Sequence, residues 1–236
     1  MNILRLLILT TLIALLQVSN VRAQEVSYFQ IWTDFNPTFT LNKNFMLKGD
    51  VGYRIKPSTT TQIFLIRGAV RYMPGKIFGM DAGLGSFNLW DSEYFNSTEF
   101  RIYEYLFLNW PSIWGFKFNL RLGFEQRWFR FHELLTNKFV HRSRLRIGVK
   151  SPEFKLIKDL FPFYGVMNAE WLRDLNDEDI GLLIDHNRFM IGLGAQVNEK
   201  LRTELQFQIM GLKEAQLSTV IREVTLLRAR VFYKIK

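Results

Sequence analysis

The sequence predicts an all-β protein: a transmembrane, antiparallel, up-and-down β-barrel of ten to twelve strands that follows a cleaved signal peptide. The first observation is alternation, because from Phe116 to Trp128 apolar residues occupy one parity and mainly polar or charged residues the other. Successive strand side chains point to opposite faces, so such a strand has one apolar and one charged face. The second observation is length, since strands average about five or six residues in soluble proteins and about ten in transmembrane barrels. The third is that many similar segments follow one another.

The N-terminus has the features of a secretory signal peptide. Arg5 precedes an apolar run from Leu6 to Leu16, and Val21-Arg22-Ala23 places small residues at the expected cleavage site. We therefore predict a signal peptide over residues 1–23 and a barrel domain over residues 24–236. A short N-terminal membrane anchor is the alternative, but a spanning helix needs about twenty apolar residues. Export of a barrel predicts a location in the bacterial outer membrane.

The composition excludes several classes of protein. The chain has no cysteine, so disulfides, thiolate chemistry and a lipoprotein anchor are ruled out. A net charge of +9 can indicate nucleic-acid binding, but here the basic residues are spread along alternating strands instead of gathered in one patch. We therefore expect no nucleic-acid partner. The sequence also contains no glycine-rich phosphate loop and no set of residues with metal-ligand spacing, so we expect no cofactor and no metal.

Eleven segments show the strand alternation, separated by Asn, Pro and Gly residues that favour turns. They cover residues 26–39, 45–54, 61–72, 77–88, 99–110, 116–129, 139–150, 162–172, 186–197, 201–212 and 222–235. Bacterial single-chain barrels have even strand numbers. Ten or twelve strands are both open, and ten is preferred, with the first segment falling short of a full strand.

The connections between these segments alternate in length. The tight ones are Leu41 to Asn44, Met73 to Lys76, Pro111 to Gly115 and Asn198 to Lys200, and the longer ones are 89–98, 130–138, 173–185 and 213–221. Short turns are typical of the periplasmic side of a barrel and long loops of the outside. The connection 151–161 is long on the periplasmic side, where we predict a short amphipathic helix. The acidic residues of the 173–185 loop lack EF-hand spacing, so we favour a solvated loop over a Ca²⁺ site.

Strand parity predicts an arginine-rich inner face. The residues predicted to line the lumen are Arg121, Glu125, Arg127, Arg142, Arg144, Arg146, Glu170, Arg188, Arg202, Glu204, Arg228 and Arg230. Glu104 falls on the outward parity of its strand, and only a β-bulge would bring it inside. Barrels of eight strands are filled by side chains, whereas sixteen strands leave a channel. Two interpretations therefore stay open: a structural barrel plugged by ion pairs, and a small porin-like pore that prefers anions.

An outer-membrane lipid-modifying esterase or deacylase is the alternative function. His141 and Ser143 share the outward parity of one strand, which resembles the arrangement in small outer-membrane barrels that deacylate lipid A. A serine nucleophile needs a neighbouring base, and the base needs an orienting group. The outward positions on the next strand are Ala169 and Trp171, neither of which is a carboxylate. The sequence therefore favours a barrel without a catalytic site.

Several short motifs carry a family resemblance. They are Ile31-Trp32-Thr33, Leu41-Asn42-Lys43-Asn44, His141-Arg142-Ser143-Arg144-Leu145-Arg146, Asn168-Ala169-Glu170, Asn187-Arg188-Phe189 and Gly192-Leu193-Gly194. With these motifs the chain resembles a family of uncharacterised outer-membrane barrels of Gram-negative bacteria, the domain of unknown function 2490. The resemblance implies location and fold but no reaction or substrate. At that location the expected partners are outer-membrane lipid, lipopolysaccharide and the barrel-assembly machinery, with a small anionic solute as a candidate ligand.

Overall fold

Eleven β-strands form a closed barrel in the part of the chain that the structure describes. The computed structural model describes residues 28–235 except 59, 92–95, 156–160, 177–183 and 214–220. The strands are β1 (Tyr28–Thr40), β2 (Phe45–Lys56), β3 (Thr61–Tyr72), β4 (Phe78–Trp90), β5 (Ser97–Asn109), β6 (Lys117–Phe131), β7 (Thr136–Lys150), β8 (Phe163–Asp174), β9 (Ile184–Gln196), β10 (Leu201–Lys213) and β11 (Ile221–Lys234). No helix among the described residues is long and apolar enough to cross a bilayer. The predicted signal peptide lies outside the described residues.

The barrel closes between its first and last strands. With an odd number of strands in up-and-down order, the first and last strands point the same way, and β1 pairs with β11 in parallel register from Tyr28 opposite Val224 to Thr38 opposite Lys234. The other neighbouring strands pair antiparallel. The preference for ten strands is therefore wrong. β1 is a full strand, because it covers the backbone edges that β2 and β11 would otherwise leave unpaired.

The connections define two ends of the barrel. The turn end carries the connections that follow β1, β3, β5, β7 and β9, and the loop end carries those that follow β2, β4, β6, β8 and β10. The prediction of a long loop over residues 130–138 is wrong. β6 and β7 continue past it to Phe131 and from Thr136, so that four residues connect them.

Asparagine side chains fix two of the turns at the turn end. The Asn42 Oδ1 atom accepts hydrogen bonds from the backbone N–H groups of Asn44 and Phe45 at 2.9 and 3.0 Å. Asn198 makes the same two bonds, each 2.9 Å long, in the turn between β9 and β10. An Asn side chain that bonds the backbone two or three residues ahead mimics a backbone turn, which explains why both hairpins reverse here.

The connection between β7 and β8 extends their hairpin beyond the named strands. The N–H of Ser151 donates to the carbonyl of Gly165 at 2.9 Å, and Phe154 and Phe163 exchange two bonds of 2.8 Å. The described part of this connection is therefore strand-like and not the predicted amphipathic helix. The remainder of that prediction, residues 156–160, lies outside the described residues.

The two faces of the wall differ in the way that alternation predicts. On β6, Leu122 is 49% exposed on the outer face, whereas Glu125 on the inner face is 0% exposed. Five tryptophans stand on the outer face or in the connecting turns near the two ends: Trp90, Trp128 and Trp171 towards the loop end, and Trp110 and Trp114 at the turn end. The polar side chains therefore gather inside the barrel, where the candidate site lies.

Candidate functional site

Apolar side chains fill the loop-end half of the barrel interior. They come from eight strands, and each is at most 8% exposed: Trp32, Leu65, Phe87, Phe129, Phe131, Val140, Leu172, Met210, Val224 and Leu226. We call this set the apolar plug. Two groups within it pack as clusters, one across β1, β10 and β11 and one across β6 and β7. Such low exposure means that these side chains are packed away from solvent.

Glu125 is the hub of a buried ion-pair network in the middle of the interior. Its carboxylate accepts hydrogen bonds from Arg101 at 3.4 Å, from the Tyr105 hydroxyl at 2.6 Å and from Arg144. Arg101 also donates to Glu99 at 2.7 Å, and Arg127 binds the same Glu99 at 2.7 Å. The pairing gives each of these buried charges a counter-charge, which offsets the cost of desolvating charged groups in a low-dielectric interior.

Glu170 extends this network across β6 to β9. Arg144 donates to both of its carboxylate oxygens at 2.9 and 3.0 Å, while Arg121 donates at 2.5 Å and Arg188 lies 3.6 Å away. Because Arg144 reaches both Glu125 and Glu170, it joins the two hubs. We call the connected set of Glu99, Arg101, Arg121, Glu125, Arg127, Arg144, Glu170 and Arg188 the central network.

A second group of pairs lines the seam between β1 and β11. Arg228 donates to Asp34 at 2.5 Å, which connects the two parallel strands from inside. Glu204 lies 3.7 Å from Arg202 and 3.9 Å from Arg230, and it accepts a bond from a buried tyrosine, Tyr164, at 3.0 Å. The seam therefore has charged contacts across it in addition to its backbone bonds.

Gly123 on β6 has no side chain, and this makes room for the ring of Tyr105. A Cβ atom at Gly123 would lie 2.6 Å from the Tyr105 ring, closer than any non-bonded contact allows. Tyr105 can therefore lie flat against β6 and reach Glu125, while the Arg121 guanidinium sits 4.6 Å from the centre of the same ring. Cation–π contact of this kind helps to hold a guanidinium whose hydrogen bonds are shared.

The turn-end half of the interior is cationic and more open. Five of its basic side chains are 21–35% exposed: Lys48, Arg71, Lys150, Arg202 and Arg230. With Arg146, whose side chain is half-buried, they form what we call the turn-end vestibule. Three described acids pair with members of this set: Asp81, Glu153 and Glu204. The vestibule therefore carries a surplus of positive charge.

The twelve residues predicted to line the lumen all lie on the inner face of the wall, and eleven of them have an acidic or basic partner. Arg146 is the exception among the described residues. Parity could have identified two further acids, Asp34 and Glu99, because they share the inward parity of Trp32 and Arg101. Glu104 stays exposed on the outer face, and the register of β5 with its neighbours contains no bulge.

His141 and Ser143 lie on the outer face but do not contact each other through a hydrogen bond. The His141 ring stacks on Phe124 with centroids 5.4 Å apart, and the Ser143 hydroxyl donates to the backbone carbonyl of Arg173 at 3.3 Å. A shallow groove of about 380 Å³ runs beside Ser143, lined in part by Trp171 and Arg173. No described carboxylate bonds to His141, so these residues do not form a catalytic triad.

The other histidines and the acidic loop form no metal or catalytic site within the described residues. No group of three or more His, Cys, Asp or Glu side chains there could hold a metal ion. His132 meets the Thr98 hydroxyl at 3.0 Å, at the loop end. Most of the acidic loop considered for Ca²⁺, residues 177–183, and the side chain of His186 lie outside the described part.

Comparison with known proteins identifies the family but no activity. No curated protein and no solved structure matches the chain. A family model described as a protein of unknown function, DUF2490, matches residues 29–212, which run from β1 into β10. The match covers the strands that supply the central network and most of the vestibule. The chain therefore belongs to the DUF2490 family of proteins of unknown function.

Proposed function

We propose that this protein is an integral β-barrel of the bacterial outer membrane, exported by its signal peptide, that acts as a closed structural barrel and not as a diffusion pore. The outer face supports the membrane location. Large apolar side chains cover it along the strands, for example Leu84 at 58%, Ile191 at 54% and Leu205 at 55% exposure. A soluble protein rarely leaves so continuous an apolar surface in water.

The single observation that carries the proposed closure is the near-zero exposure of side chains in the loop half and at the centre of the interior. Val140, Leu226 and Val224 in the apolar plug and Glu125 in the central network are all 0–1% exposed. Opening a path through the centre would separate buried ion pairs, and removing a partner from such a pair costs about 3–5 kcal/mol. An eleven-stranded barrel is also close to the size at which side chains alone fill the interior.

Single-channel recording tests this proposal. The refolded chain is inserted into a planar bilayer under a salt gradient, after heat-modifiable gel migration has shown that it is folded. We expect no discrete conductance steps, because the plug and the central network block the lumen. Reproducible steps from folded protein would contradict the closed barrel.

An anion-preferring pore is the second candidate, favoured by the surplus of cations in the turn-end vestibule. If the barrel conducts, its current should be anion-selective, and Arg146→Gln should weaken the selectivity. Arg142 and Arg144 are paired with Asp174, Glu125 and Glu170. Replacing those two arginines is therefore expected to reduce folding yield before it changes selectivity. Cation preference of the wild-type current would exclude this candidate.

Esterase activity on a lipid would rest on His141 and Ser143, beside the groove on the outer face. The geometry favours it least, because neither a His141–Ser143 hydrogen bond nor an orienting carboxylate is present among the described residues. Incubation with lipopolysaccharide provides the test. Loss of fatty-acid release in Ser143→Ala would support the activity, and equal release by the variant and the wild type would remove Ser143 as a nucleophile.

A further inference from the structure

Arg146 differs from the other inward arginines of β7. Arg142 pairs with Asp174 at 2.9 Å, and Arg144 pairs with both Glu125 and Glu170. Arg146 has no acidic partner among the described residues, and its Nε atom is buried without a hydrogen-bond acceptor. A guanidinium carries five N–H donors and stays charged, so burying one donor without an acceptor and leaving the charge without a counter-charge is costly.

The neighbours of Arg146 cannot supply the missing counter-charge. The strand register places Arg146 between Arg121 on β6 and Glu170 on β8. Glu170 already interacts with Arg121, Arg144 and Arg188. Arg146 therefore lies beside another cation on β6, and three other arginines share the acid beside it on β8.

The rest of the vestibule repeats this shortage of acid. Asp81 is shared by Lys48 and Arg71, at 3.1 and 2.6 Å. Glu204 is shared by Arg202 and Arg230, and it also accepts bonds from Tyr164 and Gln206. Because these basic side chains are partly exposed at the turn end, an anion from solution can reach them. The side chains of the apolar plug at the opposite end are at most 8% exposed, so the turn end is the more accessible side of the interior.

We propose that the turn-end vestibule binds a small oxyanion of the phosphate or sulfate class at Arg146, with Arg121 opposite it on β6. A guanidinium offers two parallel N–H donors that match the oxygens of such an anion. Several arginines around one position favour a doubly charged anion over chloride, because chloride neutralises one charge and offers no geometry for a bidentate bond. The bound anion takes the place of the carboxylate that Arg146 lacks.

Titration calorimetry with inorganic phosphate on the purified full chain in detergent micelles tests this site. We expect saturable binding that sulfate competes away. Arg146→Gln should weaken phosphate binding at least tenfold, and Arg146→Lys, which keeps the charge without the fork, should fall between the two. Arg130→Gln is the matched control, because Arg130 is exposed on the outer face of β6 near the loop end, and its phosphate affinity should equal that of the wild type.

Thermal unfolding gives a readout that a merely structural role of Arg146 would not produce. At constant ionic strength without phosphate or sulfate, Arg146→Gln should be at least as stable as the wild type, because the variant removes an uncompensated charge. Phosphate should then raise the Tm of the wild type and leave that of the variant unchanged. The measurement needs no membrane, so its result is independent of whether the barrel conducts.

Two results would overturn the proposal. One is the absence of saturable phosphate binding by folded wild-type protein, and the other is an equal rise of Tm with phosphate in the wild type and in Arg146→Gln. If the Gln variant does not fold, Arg146→Lys decides the question alone. Phosphate affinity equal to that of the wild type in Arg146→Lys would show that the guanidinium of Arg146 does not hold the anion.

Discussion

Buried carboxylates hold the inward arginines in defined positions at the residue scale. Glu125 shows this most clearly, because Arg101, Arg144 and the Tyr105 hydroxyl all donate to its Oε1 atom. Arg101 and Arg144 in turn reach Glu99 and Glu170, so a change at the hub alters pairs two strands away. Networks of this kind couple their members, and the loss of one is felt by the others.

Replacing Glu125 with Gln should destabilise the folded barrel by about 3–5 kcal/mol, because it removes the fully buried negative charge that Arg101 and Arg144 share. The measurement is urea unfolding in micelles, followed by tryptophan fluorescence. Glu153→Gln is the control, since the side chain of Glu153 is 46% exposed and lies 3.5 Å from Lys150. Removing an exposed pair of this kind should cost about 1 kcal/mol or less. Equal losses in the two variants would contradict the central network.

Sequence alone predicts the direction of these side chains but not their partners. Alternation places Arg142, Arg144 and Arg146 on one face, because the side-chain period of a strand is two residues. The three look equivalent in the sequence, yet two are paired and Arg146 is not. Their partners come from strands that meet only in the closed barrel, so the pairing depends on register, which the sequence pattern leaves open.

Glycines with large neighbours shape the wall at the scale of strands. A Cβ atom at Gly194 of β9 would lie 2.2 Å from the ring of Tyr164 on β8, whereas one at Gly68 of β3 would meet nothing within 4 Å. The first glycine therefore accommodates a ring that reaches Glu204 inside the barrel. The second lies on the open outer face.

This contrast gives a matched pair of substitutions. Gly194→Ala should lower the free energy of unfolding by about 1–3 kcal/mol, because the added methyl group overpacks the interior. Gly68→Ala should be neutral or slightly stabilising, since it only restricts the unfolded chain. Urea unfolding of both variants checks the expectation. If Gly68→Ala costs as much as Gly194→Ala, the effect comes from the strand backbone and not from Tyr164.

A charge on the outer face of β6 tests which face meets lipid. Leu122→Arg should reduce assembly into the membrane, because an arginine facing lipid near the midplane costs about 2–4 kcal/mol. Leu122→Ala serves as the control for loss of the side chain. Membrane yield and heat-modifiable migration report the outcome. Normal assembly of the Arg variant would mean that this face of β6 does not contact lipid.

The loop-end bounds of β6 and β7 differ from those that alternation predicts, because apolar residues face inward there. Phe129 and Phe131 end β6 on the inner face at 4% and 3% exposure, while Arg130 between them is exposed outside. This reverses the polarity of the two faces relative to the rest of the strand. Because the pattern changes phase, the same residues resemble a loop, which explains why a loop was expected over residues 130–138.

The strand number is a property of the whole molecule that alternation does not determine. The pattern shows eleven segments, but the even number of strands in most bacterial barrels favours ten. What decides the number is whether the first segment pairs on both edges. β1 does so, with β2 on one side and β11 on the other. Parallel pairing of distant segments leaves no local signal, so the structure is needed to see it.

The interior of the whole barrel is graded from end to end. The apolar plug lies towards the loop end, the central network extends through the middle, and the turn-end vestibule is partly exposed. Water should therefore enter from the turn end only. This asymmetry is the basis both for the closed structural barrel and for an anion site that is reached from one side.

Cysteine accessibility measures that asymmetry most directly, because the natural chain has no cysteine. The single variants Lys48→Cys in the vestibule and Val140→Cys in the plug are first folded in micelles. They are then treated with a charged, water-soluble thiol reagent. The side chain of Lys48 is 35% exposed and Val140 is 1% exposed. We predict rapid modification at position 48 and none at position 140 until the protein is unfolded. Equal rates at both positions in the folded protein would show a water-filled lumen and contradict the closed barrel.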